Sequence, residues 1–407
     1  MLMKANHKRY VWLMVFCFFC SIVPILTLNL FLVSGSLESR PNTILASQWQ
    51  AKMHGVVSPP SVLENSFFKL LRLNDRLPEI NTVVFGSSTS YSIAQEMFPP
   101  EMHLYNFSKN GGSLSNAIGE AEHLLDHYPN IKWFVIPLDW SIGFIYAEGN
   151  PSTVDLAKET AMPIETSKAT WLQKIQDSLS YPRISGLFQL FKSIYAAEQK
   201  YSAFRQIFFQ PSSDEYVCSD GTIAKDFDIQ HRNTCTGFRF DGSWTYASLD
   251  RVHNARALIM AATASNSKYT NNLLKTKGVP NPAFLQHLAA IARRAEERGG
   301  GAIFIAPPLL AGMEKEFLQH PHLGAYLQKT KHDLAHWAEQ EKLTLLDAGQ
   351  SEQFGCKTEE FTDQHHATAA CYNKVLSYFW QNTGKQNGIP GEKAPSNPTM
   401  KTDAQIH

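Results

Sequence analysis

Apolar residues are distributed along this chain in two distinct ways. Near the N-terminus they run on almost unbroken: no charge occurs between Arg9 and Glu38. Residues 10–33 are therefore long and apolar enough to cross a bilayer core as one helix, which needs roughly 20 residues because its backbone polar groups must be satisfied internally in lipid. Lys4, Lys8 and Arg9 precede this stretch. A basic flank tends to stay in the cytoplasm, so the pattern predicts a cytoplasmic basic stub (1–9), a single transmembrane anchor (10–33) and a body on the extracytoplasmic or periplasmic side. A cleaved signal peptide is the alternative, with Val33 and Gly35 small enough for processing, although the apolar core exceeds the ~7–15 residues usual in a signal.

From Thr82 onward the pattern changes to short apolar strands alternating with amphipathic helices, which predicts an α/β domain with a parallel sheet covered on both faces. Strands are expected at 82–85, 104–107 and 132–138, and between them Leu114, Ala117, Ile118, Ala121, Leu124 and Leu125 recur at helical spacing. The alternation resumes with a helix at 283–298, a strand at 302–306, a helix at 323–342, a strand at 343–346 and a last helix at 367–381. Residues 34–80 read as a linker leading into an α/β domain at 81–382. Within it, 141–282 loses the alternation and reads as an insertion, placed where parallel-sheet proteins build a cleft. Residues 383–407, punctuated by Gly384, Gly388, Pro390, Gly391, Pro395 and Pro398, read as a disordered tail.

Composition narrows the classes. The 407 residues are 43% hydrophobic, enough for a large core, so disorder is not the default. Lys plus Arg and Asp plus Glu each number 37, for zero formal net charge, so no global field draws the protein to nucleic acid. Cys17 and Cys20 lie inside the anchor, leaving Cys218, Cys235, Cys356 and Cys371 in an oxidising compartment. Four cysteines allow three pairings. Short loops close most easily, which favours Cys218 with Cys235 and Cys356 with Cys371 over the alternative of buried free thiols. No Walker-type or dinucleotide glycine pattern occurs, and no cofactor is expected. His332 and His336 sit four apart on a predicted helix, but no glutamate completes a zinc motif, so a solvated helix face is expected and no metal.

Three short blocks hold the candidate chemistry. The first strand runs into Gly86-Ser87-Ser88, a turn able to present a hydroxyl at its apex. After the second strand, Asn106-Phe107-Ser108-Lys109-Asn110-Gly111-Gly112 offers paired glycines whose N–H groups can face an anion, with Ser113 or Ser115 as N-cap of the next helix; Asn106-Phe107-Ser108 also matches a glycosylation acceptor. Before the last helix stands Asp363-Gln364-His365-His366, where carboxylate and imidazole can form an orienting pair. Each block alone has a bland reading: a capping turn, a loop entering a helix, one of 15 histidines.

In this order and position the blocks resemble the SGNH or GDSL-type hydrolase and acyltransferase superfamily. The Gly-Ser-Ser variant of its first block is similar to membrane-anchored extracytoplasmic members, the alginate O-acetylation and D-alanyl-lipoteichoic-acid transfer proteins. The resemblance implies a three-layer, flavodoxin-like fold. It makes Ser88 the nucleophile and His366 the base, with Asp363 the orienting acid, and it places Gly111 and the Ser88 N–H at the oxyanion. Asp-x-x-His spacing selects His366, leaving His365 as a solvent-exposed neighbour and Ser87 as a turn residue. The superfamily's Gly-x-Asn-Asp block is missing: Pro137-Leu138-Asp139-Trp140 follows the third strand, so Asp139, like Asn106, is expected to shape the pocket. The expected activity is extracytoplasmic acyl transfer between an acyl donor and a carbohydrate acceptor, beside a multi-span membrane acyltransferase. A carbohydrate esterase or a noncatalytic glycan-binding scaffold are the alternatives. Trp140, Trp171, Phe238, Phe240 and Trp244 could stack on sugar rings or form ordinary core.

Overall fold

The computed structural model describes residues 2–32, 39–57, 65–156, 215–217, 223–225, 237–245 and 252–382. The expected Cys218–Cys235 pair, Trp171 and the expected tail at 383–407 lie outside them. Helix α1 (Leu2–Leu32) contains the stretch His7–Thr27, long and apolar enough to span a membrane and not buried by the described residues.

The centre of the molecule is a five-stranded, all-parallel sheet. Its strands are β1 (Thr82–Val84), β2 (Leu104–Asn106), β3 (Trp133–Pro137), β8 (Gly301–Ala306) and β9 (Thr344–Asp347), in the order β2-β1-β3-β8-β9. β1, β2 and β8 are buried along their whole length, which explains why they read as continuous apolar runs rather than alternating ones. Antiparallel hairpins β4 (Glu215–Val217) with β5 (Ile223–Lys225), and β6 (Gly237–Phe238) with β7 (Trp244–Thr245), stand apart from the sheet. Reversal of strand order around β1 makes the carboxyl ends of β1, β2 and β3 the place where loops diverge and a site can form.

Helix α4 (Leu114–His127) connects β2 to β3 and is capped by Ser113, whose hydroxyl accepts the Asn116 N–H. It buries Leu114, Ala117, Ile118, Ala121, Leu124 and Leu125, the six positions its spacing singled out. Further helices are α5 (Ala255–Thr263), α6 (Lys268–Thr276), α7 (Pro282–Glu297), α8 (Met313–Gln319), α9 (Gly324–Gln340) and α10 (Ala369–Asn382). A Glu122–His287 contact at 2.6 Å and an Asp126–Arg294 ion pair at 2.5 Å hold α4 against α7.

Residues 34–80 are not merely a linker. They contain α2 (Ser39–Met53) and α3 (Asn65–Arg76). α3 buries Phe68 in a small apolar cluster with Ala46, Val57, Tyr91 and Phe238, and Leu70 and Leu73 in the main core. Lys69 of α3 is wholly buried. Its ammonium donates to the carbonyls of Asn106 and Gly242 and sits 4.5 Å from the Phe238 ring centroid. Burial pulls its pKa well down, and Asp241 pulls in the opposite direction. The lead-in is thus bound to the end of β2 and to the β6–β7 hairpin. Two of the aromatic residues considered for sugar stacking are core instead: Trp140 packs edge-on to Phe317, and Phe238 is 0% exposed.

Candidate active site

Three backbone turns assemble the site. At the end of β1, Gly86 takes φ +117°, and a Cβ there would lie 2.4 Å from Pro137 Cγ, so only glycine lets the chain pass β3 and turn. Ser88–Ser90 then form one 3-10 turn capped by Ser87, whose Oγ lies 2.9 Å from Thr89 Oγ1 and accepts the Thr89 N–H. Ser87 is therefore a turn residue, as expected, and Ser88 is the hydroxyl left half-exposed at the apex. The Tyr372 hydroxyl of α10 donates to the Thr89 carbonyl at 2.7 Å.

After β2, the Lys109 N–H donates to the Gly86 carbonyl at 2.9 Å, which brings the glycine loop onto the Ser88 turn. A Cβ on Gly112 would lie 2.5 Å from that same carbonyl oxygen. The Gly112 N–H is engaged by the Lys109 carbonyl. Gly111, at φ +65°, is exposed, and among the described residues neither its N–H nor that of Ser88 has a hydrogen-bond acceptor. Two free backbone donors on adjoining turns are what an oxyanion requires.

The third turn carries Asp363 and His366. Asp363 Oδ1 accepts the N–H groups of His365 and His366 at 2.8 and 2.9 Å, which leaves Oδ2 facing His366 Nδ1 at 2.6 Å. His366 Nε2 lies 2.7 Å from Ser88 Oγ, across 278 residues of sequence. A carboxylate on Nδ1 holds the proton there and leaves the Nε2 lone pair to accept the Ser88 proton. Burial alone would raise the Asp363 pKa. The hydrogen bond from His366, with the charges of His365 and His366, outweighs it and holds the carboxyl below the usual carboxylate range. A pKa lower folded than unfolded means that this group's stabilising share is present above the ordinary Asp value of ~3.9 and is lost as the pH falls through the folded one. Cys356 and Cys371 are joined by a disulfide bracketing this turn.

Two of the expected pocket residues have other roles. Asn106 is 0% exposed. Its amide donates to the carbonyls of Ser90 (2.8 Å), Tyr91 (3.3 Å) and Ile93 (2.8 Å), and its Oδ1 accepts the Ser108 N–H and hydroxyl. It braces the chain after Ser88 rather than lining a pocket, and in the folded protein it is closed to glycosylation. Asn106→Ala would leave those buried carbonyls unpaired and is expected to cost about 2 kcal/mol, read as a lowered urea midpoint. Asp139 is also buried: Oδ1 accepts the Ser141 N–H and hydroxyl at 2.9 and 2.7 Å and the Ile142 N–H at 3.2 Å. Burial raises its pKa, against bonds from the Ser141 hydroxyl and the Ile142 N–H. It lines a cavity of ≈ 10 Å³ with Gly86, Ser87, Thr89 and Gly112, room for about one water and not for a substrate.

His365 is not the solvent-exposed neighbour that the spacing suggested. It is 8% exposed, and its Nδ1 lies 2.7 Å from the Tyr269 hydroxyl. Asp363, His365 and His366 offer ligand atoms within 4.8 Å of one another, but both carboxylate oxygens and His366 Nδ1 already serve hydrogen bonds, an arrangement suited to proton transfer. His332 is exposed, its side chain 79% accessible. The Asp363–His366 pair was legible from spacing; the Tyr269–His365 contact was not, because its partners are 96 residues apart. No protein-family model, curated protein or solved structure matches the chain.

Proposed function

We propose that this protein is a serine-dependent acyl-transfer enzyme working outside the cytoplasm. The hydrogen-bond chain Ser88–His366–Asp363, with both links under 3 Å, carries this reading. As a class, it is an α/β protein with a serine nucleophile at the carboxyl end of the first strand. The particular reading is an O-acyltransferase of the three-layer SGNH type that moves an acyl or O-acetyl group onto an envelope or exported polysaccharide. Ser88 Oγ attacks the acyl carbon as its proton passes to His366 Nε2, and the N–H groups of Ser88 and Gly111 hold the oxyanion. Collapse of the intermediate expels the donor alcohol, which takes the proton from His366. A sugar hydroxyl, or water in the esterase version, then repeats the steps in reverse order.

The location is supported by the apolar helix His7–Thr27, by Lys4, Lys8 and Arg9 on its N-terminal flank, and by a disulfide, which persists in oxidising compartments. With the N-terminus in the cytoplasm, the site faces an exported acceptor beside a multi-span membrane acyltransferase able to supply the acyl group. A fluorophosphonate probe tests the nucleophile: wild type is expected to be labelled and Ser88→Ala not. Equal labelling of the two would reject the reading. Comparing the acetyl content of the polysaccharide with and without the gene then separates transfer, which raises it, from hydrolysis, which lowers it.

A further inference from the structure

A second run of polar side chains, Lys268, Tyr269 and His365, stands beside the Ser88–His366–Asp363 chain and has no part in the steps above. Lys268 and Tyr269 open helix α6, at the end of the inserted region. His365 Nε2 lies 3.5 Å from Lys268 Nζ. Its Nδ1 lies 2.7 Å from Tyr269 Oη and 3.3 Å from Asp363 Oδ1. The His365 and His366 ring centroids are 4.2 Å apart.

Donors and acceptors in this run have one self-consistent direction. An ammonium only donates, so Nε2 facing Lys268 must present its lone pair. An ionised carboxylate only accepts, so the Asp363 charge 3.3 Å from Nδ1 favours the tautomer with its proton there. Both neighbours select the same neutral tautomer, and the opposite one would set N–H against an ammonium and a lone pair against a carboxylate. Burial first, then the charge of His366, keeps the ring neutral by drawing its pKa down to about 3. Nδ1–H therefore donates to Tyr269 Oη, and the phenol's own proton is left without an acceptor among the described residues. The phenol retains that proton: burial, followed by the charges of Asp363 and Asp139, raises its pKa. It is a donor and not a base.

We infer that Tyr269 donates a hydrogen bond to the alcohol oxygen that enters or leaves during acyl transfer, marking a subsite for an alkyl or sugar alcohol on the His366 side of the site. The inference rests on the acyl-transfer reading above. The imidazole takes the proton of the incoming alcohol and returns one to the departing alcohol, so that oxygen passes next to His366 Nε2. Tyr269 Oη lies against His365, whose ring flanks His366, whereas the oxyanion donors come from the turns after β1 and β2. During attack the alcohol oxygen bonds to the acyl carbon while its proton moves to His366 Nε2. Ser88 Oγ then departs and takes that proton back. Tyr269 contributes only a hydrogen bond to the oxygen's remaining lone pair.

Tyr269→Phe removes the donor and keeps the ring against Phe317, 6.3 Å away between centroids. 4-Nitrophenyl acetate releases a stabilised phenolate that needs no donor, whereas glyceryl triacetate releases an alkoxide, and acetyl transfer to methyl glucoside brings in a sugar hydroxyl. The variant is expected to keep its melting temperature and its burst rate with the aryl ester. Glyceryl triacetate turnover and transfer to the glucoside are expected to fall about tenfold, the effect of one lost hydrogen bond. A parallel fall with the aryl ester would overturn the inference in favour of a positioning role on the catalytic pair; no fall with any substrate would overturn it as well. A wild type that consumes only the aryl ester would remove the alcohol subsite and leave the Ser88 chemistry standing. An aryl-ester burst that survives Ser88→Ala would overturn the acyl-transfer reading itself.

Discussion

Turnover of an activated ester is expected to fall by about a million-fold in Ser88→Ala and about ten-thousandfold in Asp363→Asn, while both variants stay folded. Ser88 is half-exposed at a turn held by the Ser87 and Thr89 hydroxyls, the Asn106 amide and the Tyr372 hydroxyl, so loss of one Oγ leaves its scaffold intact. The Asp363 effect has a different origin. Asparagine keeps an acceptor at Oδ1 for the N–H groups of His365 and His366, but it can present an NH2 where Oδ2 faces His366 Nδ1. That arrangement favours the tautomer with its proton on Nε2, which cannot accept from Ser88. Steady-state kinetics at saturating ester, with thermal melts as the control for folding, check both values. A loss smaller than tenfold in either variant would reject the three residues as a catalytic unit.

Replacing Cys356 and Cys371 together by serine is expected to lower stability by about 3 kcal/mol, because the bridge closes a loop of ~15 residues whose freedom in the unfolded chain is otherwise regained. Ester turnover should fall with it, even well below the melting temperature. The bridged segment carries Asp363 and His366, and its backbone is tied to the rest of the protein by the Leu310 N–H on the Gln364 carbonyl at 3.0 Å and the Val252 N–H on the Phe361 carbonyl at 2.8 Å. With a hydrogen-bond chain of 2.6 and 2.7 Å links, small displacements of that turn are costly to proton transfer. Calorimetry and ester kinetics on the double variant, and on wild type treated with reductant, measure the two effects. Unchanged melting and unchanged turnover would show that the turn needs no covalent tie.

Legibility in the sequence followed the locality of the interactions. Each sheet strand begins within one residue of its expected start, since strands covered on both faces must be apolar throughout and the turns between them announce themselves through Gly86, Gly111 and Gly112. α3 lies in the stretch that reads as a linker, and it carries the charged residues Lys69 and Arg72 on its buried side. Both are buried: Lys69 against carbonyls at the end of β2 and in the β6–β7 hairpin, and Arg72 at 2.7 Å from Asp75 with its guanidinium 5.3 Å from the Phe240 ring. Asn106 and Asp139 stand out in the sequence, but the direction of their side chains does not. Their partners, the carbonyls of Ser90, Tyr91 and Ile93 and the turn at Ser141, are set by the packed geometry and not by spacing.

The sequence alone determined the apolar N-terminal helix, the parallel α/β plan and the three turns with chemical potential, because each depends on hydrophobic periodicity, on charge placement or on a backbone conformation that glycine permits. Only the tertiary structure decided that Ser88 and His366, 278 residues apart, meet at 2.7 Å, and that Lys69 and His365 are interior. It also decided that the phenol of Tyr269 meets His365, the neighbour of His366. The physical reason is that a hydrogen bond depends on tenths of an ångström and on the direction of a lone pair, and these emerge only when distant segments pack around one core.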